Sequence, residues 1–309
     1  MITVRLWAMA LTAAVAVAAA AQAAAIVRID PVTYPAYDQY KGIARYAPTP
    51  QSYAEAIADR RFMMERVAYR SETLEVFAYL YRPANRLTRP MPVVIFNRGS
   101  YTRDDFAPEV LMPGRRLAEQ GYLVIAPMYR GSGGAPGHDE MGGADLADLF
   151  NIVPVLRELG YADPNRIFLY GESRGGIMSL LAAKNNFPAR AIAVYGAITD
   201  LSTFVGEGKP ARRLAPQIWP GFPANEAQIV ADRSAIRWAE KINAPVLLMN
   251  GADDGDVSPL QALDLAAALE RFDKPYELKI FHGEKHVITG RAAERDADAM
   301  AWFRRFDAN

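Results

Sequence analysis

The chain has no cysteine and only three histidines, His138, His282 and His286, among its 309 residues. Without cysteine there is no disulfide, no thiol nucleophile and no thiolate metal site. Three histidines leave little for a histidine-rich metal centre, and they confine the search for a catalytic imidazole to three positions. Net charge is missing too, since Lys+Arg and Asp+Glu both number 35. No basic field is therefore available for nucleic acid. Internal repeats and low-complexity linkers are also absent. What remains is a chain 51% hydrophobic and 23% charged, which suits one large soluble domain or a domain with a small appendage.

The first 25 residues have the layout of an export signal. Arg5 supplies a positive start, 6–21 is an uncharged alanine-rich run, and Ala21-Gln22-Ala23 and Ala23-Ala24-Ala25 offer small residues for cleavage. The run is short and weakly apolar for a membrane span, so a retained anchor is the alternative. Removing Arg5 leaves 34 basic residues against 35 acidic ones, a net charge near −1. The expectation is a periplasmic or secreted protein that starts near Ala24 or Ile26 and has no stable membrane association afterwards.

Beyond residue 25 the chain divides into 26–61, expected to be irregular with a helix near 51–61, and a main domain over 62–309. Residues 62–70 and 74–81 alternate like an antiparallel edge pair. Near-continuous apolar runs come next at 93–96, 123–126, 167–170, 191–195 and 246–249, the pattern of strands covered on both faces. Residues 276–281 make an eighth strand. Helical stretches near 109–120, 144–159, 174–186, 259–271 and 290–306 separate them. This alternation predicts an α/β fold, a mostly parallel eight-stranded sheet with helices on both faces. Residues 200–240 form one long excursion rich in proline, with a helix near 226–241; it is either a small cap or a surface insertion.

The most telling stretch is Gly171-Glu172-Ser173-Arg174-Gly175, a G-x-S-x-G between a strand-like run and a helix-like run. A strand turning sharply into a helix at a serine exposes the hydroxyl at the top of the sheet, and the helix N-terminus favours developing negative charge. A serine nucleophile needs a base and an orienting acid, which in hydrolases built on this elbow come in the order Ser, Asp or Glu, His. Asp253, Asp254 and Asp256 sit just after the 246–249 strand, and His282 and His286 just after 276–281. Both are ligand-binding positions in an open α/β sheet. His138 precedes the serine in a glycine-rich loop, out of triad order but able to touch substrate.

These pieces, together with Tyr129-Arg130-Gly131-Ser132-Gly133, Arg233-Ser234-Ala235, Gly251-Ala252-Asp253-Asp254-Gly255-Asp256-Val257 and Gly283-Glu284-Lys285-His286, span roughly 62–306. In them the chain resembles the α/β-hydrolase superfamily, and within it the catalytic domain of prolyl oligopeptidase-type serine peptidases. The resemblance assigns Ser173 as nucleophile, Asp254 as the fourth residue of G-x-x-D-x-x-V, and His286 as base. The unchosen aspartates are then expected to shape the turn through Asx hydrogen bonds, and His282 to be a strand-end residue bonded to backbone.

The oxyanion hole needs two donors. One is the backbone N–H of Arg174, the residue after the nucleophile. The other is expected from Asn97-Arg98-Gly99-Ser100-Tyr101, where the family often shows His-Gly-Gly or Tyr-Gly-Gly; here the Asn97 side chain, or the N–H of Gly99 or Ser100, could donate. Arg98 and Arg103 lie near the same cleft, either as structural or surface ion pairs, the preferred reading, or as contacts for an acidic substrate group. The implied activity is cleavage of an ester or peptide bond through an acyl-enzyme, with no metal or organic cofactor. The substrate would be a small ester or short peptide. The family's β-propeller has no room in 26–61, so a carboxylesterase is an alternative to a peptidase, and a non-catalytic binding protein of the same fold is a second.

Overall fold

The buried apolar runs assemble into one mixed sheet in the computed structural model, which describes residues 24–39, 43–101 and 108–307. Residues 1–23, which hold most of the expected export signal, and Arg103 lie outside the described residues. Along the chain come β1 (Ile26–Pro31), α1 (Pro50–Ala58), β2 (Phe62–Ser71), β3 (Leu74–Pro83), β4 (Met91–Asn97), α2 (Pro108–Glu119) and β5 (Leu123–Pro127). After them lie α3 (Leu146–Phe150), α4 (Ile152–Leu159), β6 (Ala162–Glu172), α5 (Arg174–Lys184), β7 (Ala189–Tyr195), α6 (Leu201–Phe204), α7 (Pro210–Ile218) and α8 (Glu226–Arg233). The chain closes with β8 (Val246–Gly251), α9 (Leu260–Arg271), β9 (Tyr276–Phe281) and α10 (Ala292–Arg305).

Strand order is β1-β2-β3-β5-β4-β6-β7-β8-β9. The first three pairings are antiparallel and all those from β5 to β9 are parallel. The central strands read as unbroken apolar runs because both faces are covered. Val93 and Ile95 point into a core shared with α4, α5 and α9, while Val94 and Phe96 point into a second core beneath α2 and α10. Each such fully buried side chain contributes about 1.5–3 kcal/mol relative to exposure.

Among the described residues the sheet has nine strands rather than the expected eight. The extra one, β1, falls in the segment expected to be irregular and pairs along the edge of β2. Its residues are mostly exposed, so backbone pairing and the Arg28 ion pairs with Asp30 and Glu75 define it, with no periodic apolar face to announce it. The single helix expected over 144–159 is two helices that meet at Asn151. Pro154 lacks the N–H that would bond the Phe150 carbonyl, which breaks the ladder at this point. The 200–240 excursion holds two helices that its sequence does not announce, α6 and α7, and α8 ends at Arg233 rather than running to 241.

The parallel register aligns the strand ends. Asn97 pairs with Gly171, Glu172 with Tyr195, and Gly251 with Phe281. The loops leaving β4, β6, β8 and β9 therefore emerge side by side along one edge of the sheet, at the carboxyl ends of the strands.

Candidate active site

The elbow carries a constrained backbone. Ser173 has φ 51° and ψ −113°, outside the regions allowed to most residues with a side chain. Such a conformation costs on the order of 1–3 kcal/mol and persists only when its surroundings over-determine it. Here the Ser173 N–H donates to the Tyr195 carbonyl at 2.9 Å, and the Gly176 N–H donates to the Ser173 carbonyl at 2.9 Å. Gly175 allows the close packing of elbow and neighbouring strand: a Cβ there would stand 1.8 Å from the Asn97 carbonyl oxygen.

Ser173, His286 and Asp254 come together. The His286 Nε2 lies 2.9 Å from Ser173 Oγ, and its Nδ1 lies 2.8 Å from Asp254 Oδ2. Gly251 makes this meeting possible, since a Cβ at the end of β8 would lie 2.2 Å from the Glu284 carbonyl oxygen in the histidine loop. The Asp254 side chain is fully buried and uses both oxygens: Oδ1 accepts from the N–H groups of Asp256 (2.9 Å) and Val257 (2.8 Å), and Oδ2 also accepts from Asn250 Nδ2 (3.2 Å). The Asx bonds expected of Asp253 and Asp256 are thus made by Asp254 itself, while those two are exposed and bond through their backbone amides. One face carries ligand atoms of Asp254, Asp256 and His286 within 4.8 Å of each other, but Asp254 and His286 are already engaged with one another.

The other histidines stand elsewhere. His282 is exposed just past the end of β9, and no backbone bond to its ring is seen among the described residues, against expectation. The His138 ring places Nε2 3.1 Å from the Ile218 carbonyl, so it tethers the glycine-rich loop to the end of α7 and is not among the residues lining the cleft.

Of the oxyanion candidates, Arg174 opens α5, and the N–H of a first helical residue has no intrahelical acceptor. Its side chain turns away, fully buried, to Asp139 (2.5 Å) and Asp145 (3.1 Å). The Asn97 side chain is not a donor to the cleft. Its Nδ2 donates to Ser179 Oγ at 2.8 Å and its Oδ1 accepts from the Tyr129 hydroxyl at 2.8 Å, so both groups are consumed in the core. Gly99 packs against Glu172, whose Oε1 would lie 2.6 Å from a Cβ there, and Ser100 lines the cleft at φ 53°. Arg98 is buried rather than exposed to substrate, bonded to backbone and to Ser132.

The cleft over Ser173 has a volume of about 710 Å³. The excursion after β7 supplies one wall through Phe204, Lys209, Ala211 and Leu214, and the loop after β8 another through Val257. Two further contributors carry no signal in the sequence. Glu172 is the variable second residue of the serine motif, and Tyr46 lies between β1 and α1. The Tyr46 hydroxyl donates to Glu172 Oε1 at 2.8 Å and the Tyr195 hydroxyl to Oε2 at 2.6 Å.

Beneath the elbow a buried charge cluster links these loops. Burial and the neighbouring Asp139 charge push the Asp145 carboxyl up to about 6, against the pull of Arg174 and the amides of Gly142 and Gly143. The Arg174 guanidinium also lies 4.3 Å from the Tyr129 ring centroid.

Comparison with known proteins bears on the family and the fold. A Bacillus subtilis (strain 168) protein described as the uncharacterized peptidase YtmA is 32% identical over 189 residues, 60% of this chain and 74% of its own. Rat acylamino-acid-releasing enzyme is 26% identical over 250 residues, 74% of this chain and 33% of its own length. Among solved structures, a Mycobacterium tuberculosis puromycin-hydrolyzing peptidase superposes with a TM-score of 0.67 at 25% identity, over 80% of this chain and 40% of that one. The chain thus spans about a third of the length of the rat relative and two fifths of the solved one. The sequence profile of the prolyl oligopeptidase family matches residues 115–307, which include the elbow, the Asp254 turn and the His286 loop, and on that match the chain belongs to the prolyl oligopeptidase family.

Proposed function

We propose that this protein is a serine hydrolase that cleaves an ester or short-peptide bond through an acyl-enzyme on Ser173. The observation that carries the proposal is the continuous relay from Ser173 Oγ through His286 to Asp254, at 2.9 and 2.8 Å, set on a strained elbow at the floor of a cleft. In it, His286 Nε2 takes the serine proton as Oγ attacks the carbonyl carbon, and later returns that proton to the leaving group. Asp254 holds the Nδ1–H tautomer and stabilises the imidazolium. The Arg174 N–H and a second amide from the loop after β4 steady the oxyanion, and water attacking the acyl-enzyme completes the cycle.

Family membership and relatives named as peptidases favour a peptidase over an esterase. The cleft is of the size that encloses small ligands, and its wall of Phe204, Ala211, Leu214 and Val257 suits an apolar group beside the scissile bond. The layout of residues 1–25 supports export to the periplasm, and N-terminal sequencing of exported protein tests it.

The test of the activity is labelling with a fluorophosphonate, then hydrolysis of p-nitrophenyl esters against aminoacyl- and prolyl-p-nitroanilides. Wild type labels at Ser173 and Ser173→Ala does not, while turnover falls by several orders of magnitude. A Ser173→Ala variant that keeps a tenth of wild-type turnover removes this mechanism.

A further inference from the structure

We infer that Arg98 is the positioning residue of the oxyanion hole and that Asp139 braces it against the elbow; this rests on the hydrolase function proposed above. Arg98 stands where the family often has the middle glycine of His-Gly-Gly, so its role belongs to this chain. Its side chain is entirely buried. Nη1 donates to the carbonyls of Gly99 (3.0 Å) and Ser100 (3.2 Å), and Nη2 donates to the Met128 carbonyl (3.0 Å) and to Ser132 Oγ (3.1 Å). One guanidinium thus ties the loop after β4 to the loop after β5.

The consequence for chemistry comes from peptide planarity. The Gly99 carbonyl and the Ser100 N–H belong to one trans peptide and point in opposite directions. Holding the Gly99 carbonyl on the buried Arg98 turns the Ser100 N–H the other way, on a residue that lines the cleft with Ser173 and His286. The preceding peptide is disposed differently. The Arg98 carbonyl oxygen lies 2.9 Å from where a Gly175 Cβ would stand, which turns it toward the first turn of α5 and the Gly99 N–H of the same peptide away from that turn. The geometry therefore selects Ser100, not Gly99 or the Asn97 side chain, as the partner of the Arg174 amide. It also accounts for the positive φ of Ser100, a conformation that a non-glycine residue keeps only when its surroundings enforce it.

Asp139 completes the device. Its Oδ2 lies 3.7 Å from Arg98 Nη2 and its Oδ1 2.5 Å from Arg174 Nη2. Arg98 orients one oxyanion donor and Arg174 carries the other on its backbone. A single carboxylate from the glycine-rich loop thus spans the two arginines and fixes the separation of the donors. A planar fork is needed for this, since the compact ammonium of a lysine cannot donate to four acceptors around one plane.

The experiment measures kcat and KM on one activated ester, together with Ki for a trifluoromethyl ketone that forms the tetrahedral adduct and Kd for the product carboxylate. Removing an oxyanion donor outright costs about 10²–10³ in kcat, so loosening one in Arg98→Lys is expected to cost about 10- to 100-fold. KM and product affinity stay within about threefold, and affinity for the ketone falls in proportion to kcat/KM, because only the tetrahedral state uses the hole. Asp139→Asn moves the same quantities in the same direction by a smaller factor. Leu156→Ala, in the core under α4, serves as a control for lost stability and keeps wild-type kcat. The inference is overturned by a folded Arg98→Lys enzyme with wild-type kcat, by a loss confined to KM, or by an equal loss in the control. Should Arg98→Lys fail to fold, Asp139→Asn decides by the same criteria. A wild type that neither labels at Ser173 nor hydrolyses the ester brings down the proposed function itself, whereas an active wild type with an equally active Arg98→Lys brings down this inference alone.

Discussion

Adding one methyl group at Gly175 should damage catalysis and stability together. A Cβ at this position would stand 1.8 Å from the Asn97 carbonyl oxygen, a contact that does not occur under 3.0 Å, so elbow and strand end must part by about 1.2 Å. The obstacle is backbone on both sides: β4 is pinned between β5 and β6, and Ser173 is held by Tyr195. No flexible side chain can give way. Overpacking of this kind costs about 1–3 kcal/mol. At about 2–4 °C per kcal/mol for a domain of this size, Gly175→Ala should melt roughly 2–12 °C below wild type. The displacement separates the Arg174 amide from the loop that faces it, and a misplacement near 1 Å at a reacting centre costs on the order of 10²-fold. Differential scanning fluorimetry and kcat/KM on a p-nitrophenyl ester check both numbers. A variant with wild-type melting and wild-type kcat/KM would refute the reasoning, because it would mean that elbow and strand are not in fixed contact.

Asp254→Asn should lower kcat by about 10³–10⁴, because the amide that replaces Oδ2 cannot hold the same imidazole tautomer, while Asp253→Asn and Asp256→Asn, on exposed side chains, should change it little; kinetics on the three variants separate them. Asp145 has its folded pKa raised to about 6, so the folded state binds this proton more tightly than the unfolded chain does. Its contribution is fully present below the ordinary value of 3.8 and is lost as pH rises through about 6. Urea unfolding of Asp145→Asn and wild type between pH 4 and 7 should therefore show the difference moving in the variant's favour as pH rises, and a constant difference contradicts this origin. Tyr46→Phe withdraws a donor from the Glu172 carboxylate, which should cost about 1–3 kcal/mol and shift KM across an ester series more than kcat.

The parts of the molecule that are legible in its sequence are those where local pattern and tertiary fate coincide. The runs at 93–96 and 167–170 read as buried strands because alternate side chains enter two different cores, and that demands apolar residues at every position. The order of Ser173, Asp254 and His286 is legible because each comes just after a strand end. Features decided at long range are not. The Asn97 side chain has the chemistry of an oxyanion donor, and only Ser179 and Tyr129, 82 and 32 residues away in sequence, turn it into a core strut. Tyr46 reaches Glu172 across 126 positions. β1 escapes notice because exposed edge pairing leaves no period in the side chains.

The wall of the cleft formed by the excursion between β7 and β8 has a bearing on how such a molecule can diversify. Those two strands are neighbours in the sheet and pair in register, Tyr195 beside Met249, so the ends of the excursion are fixed by hydrogen bonds that its own content does not make. Each doubling of such a loop adds only about 0.6 kcal/mol of closure entropy. Its largely exposed stretch 206–214, which carries Lys209, Ala211 and Leu214, can drift in length and composition without moving the elbow or the relay, while the buried Ile218, Trp219, Arg233 and Ser234 hold the rest of the excursion in the core. On the proposed hydrolase reading, substrate preference is in that sense modular: it can be rewritten on one side of the cleft while Ser173, His286 and Asp254 stay on the rigid edge of the sheet.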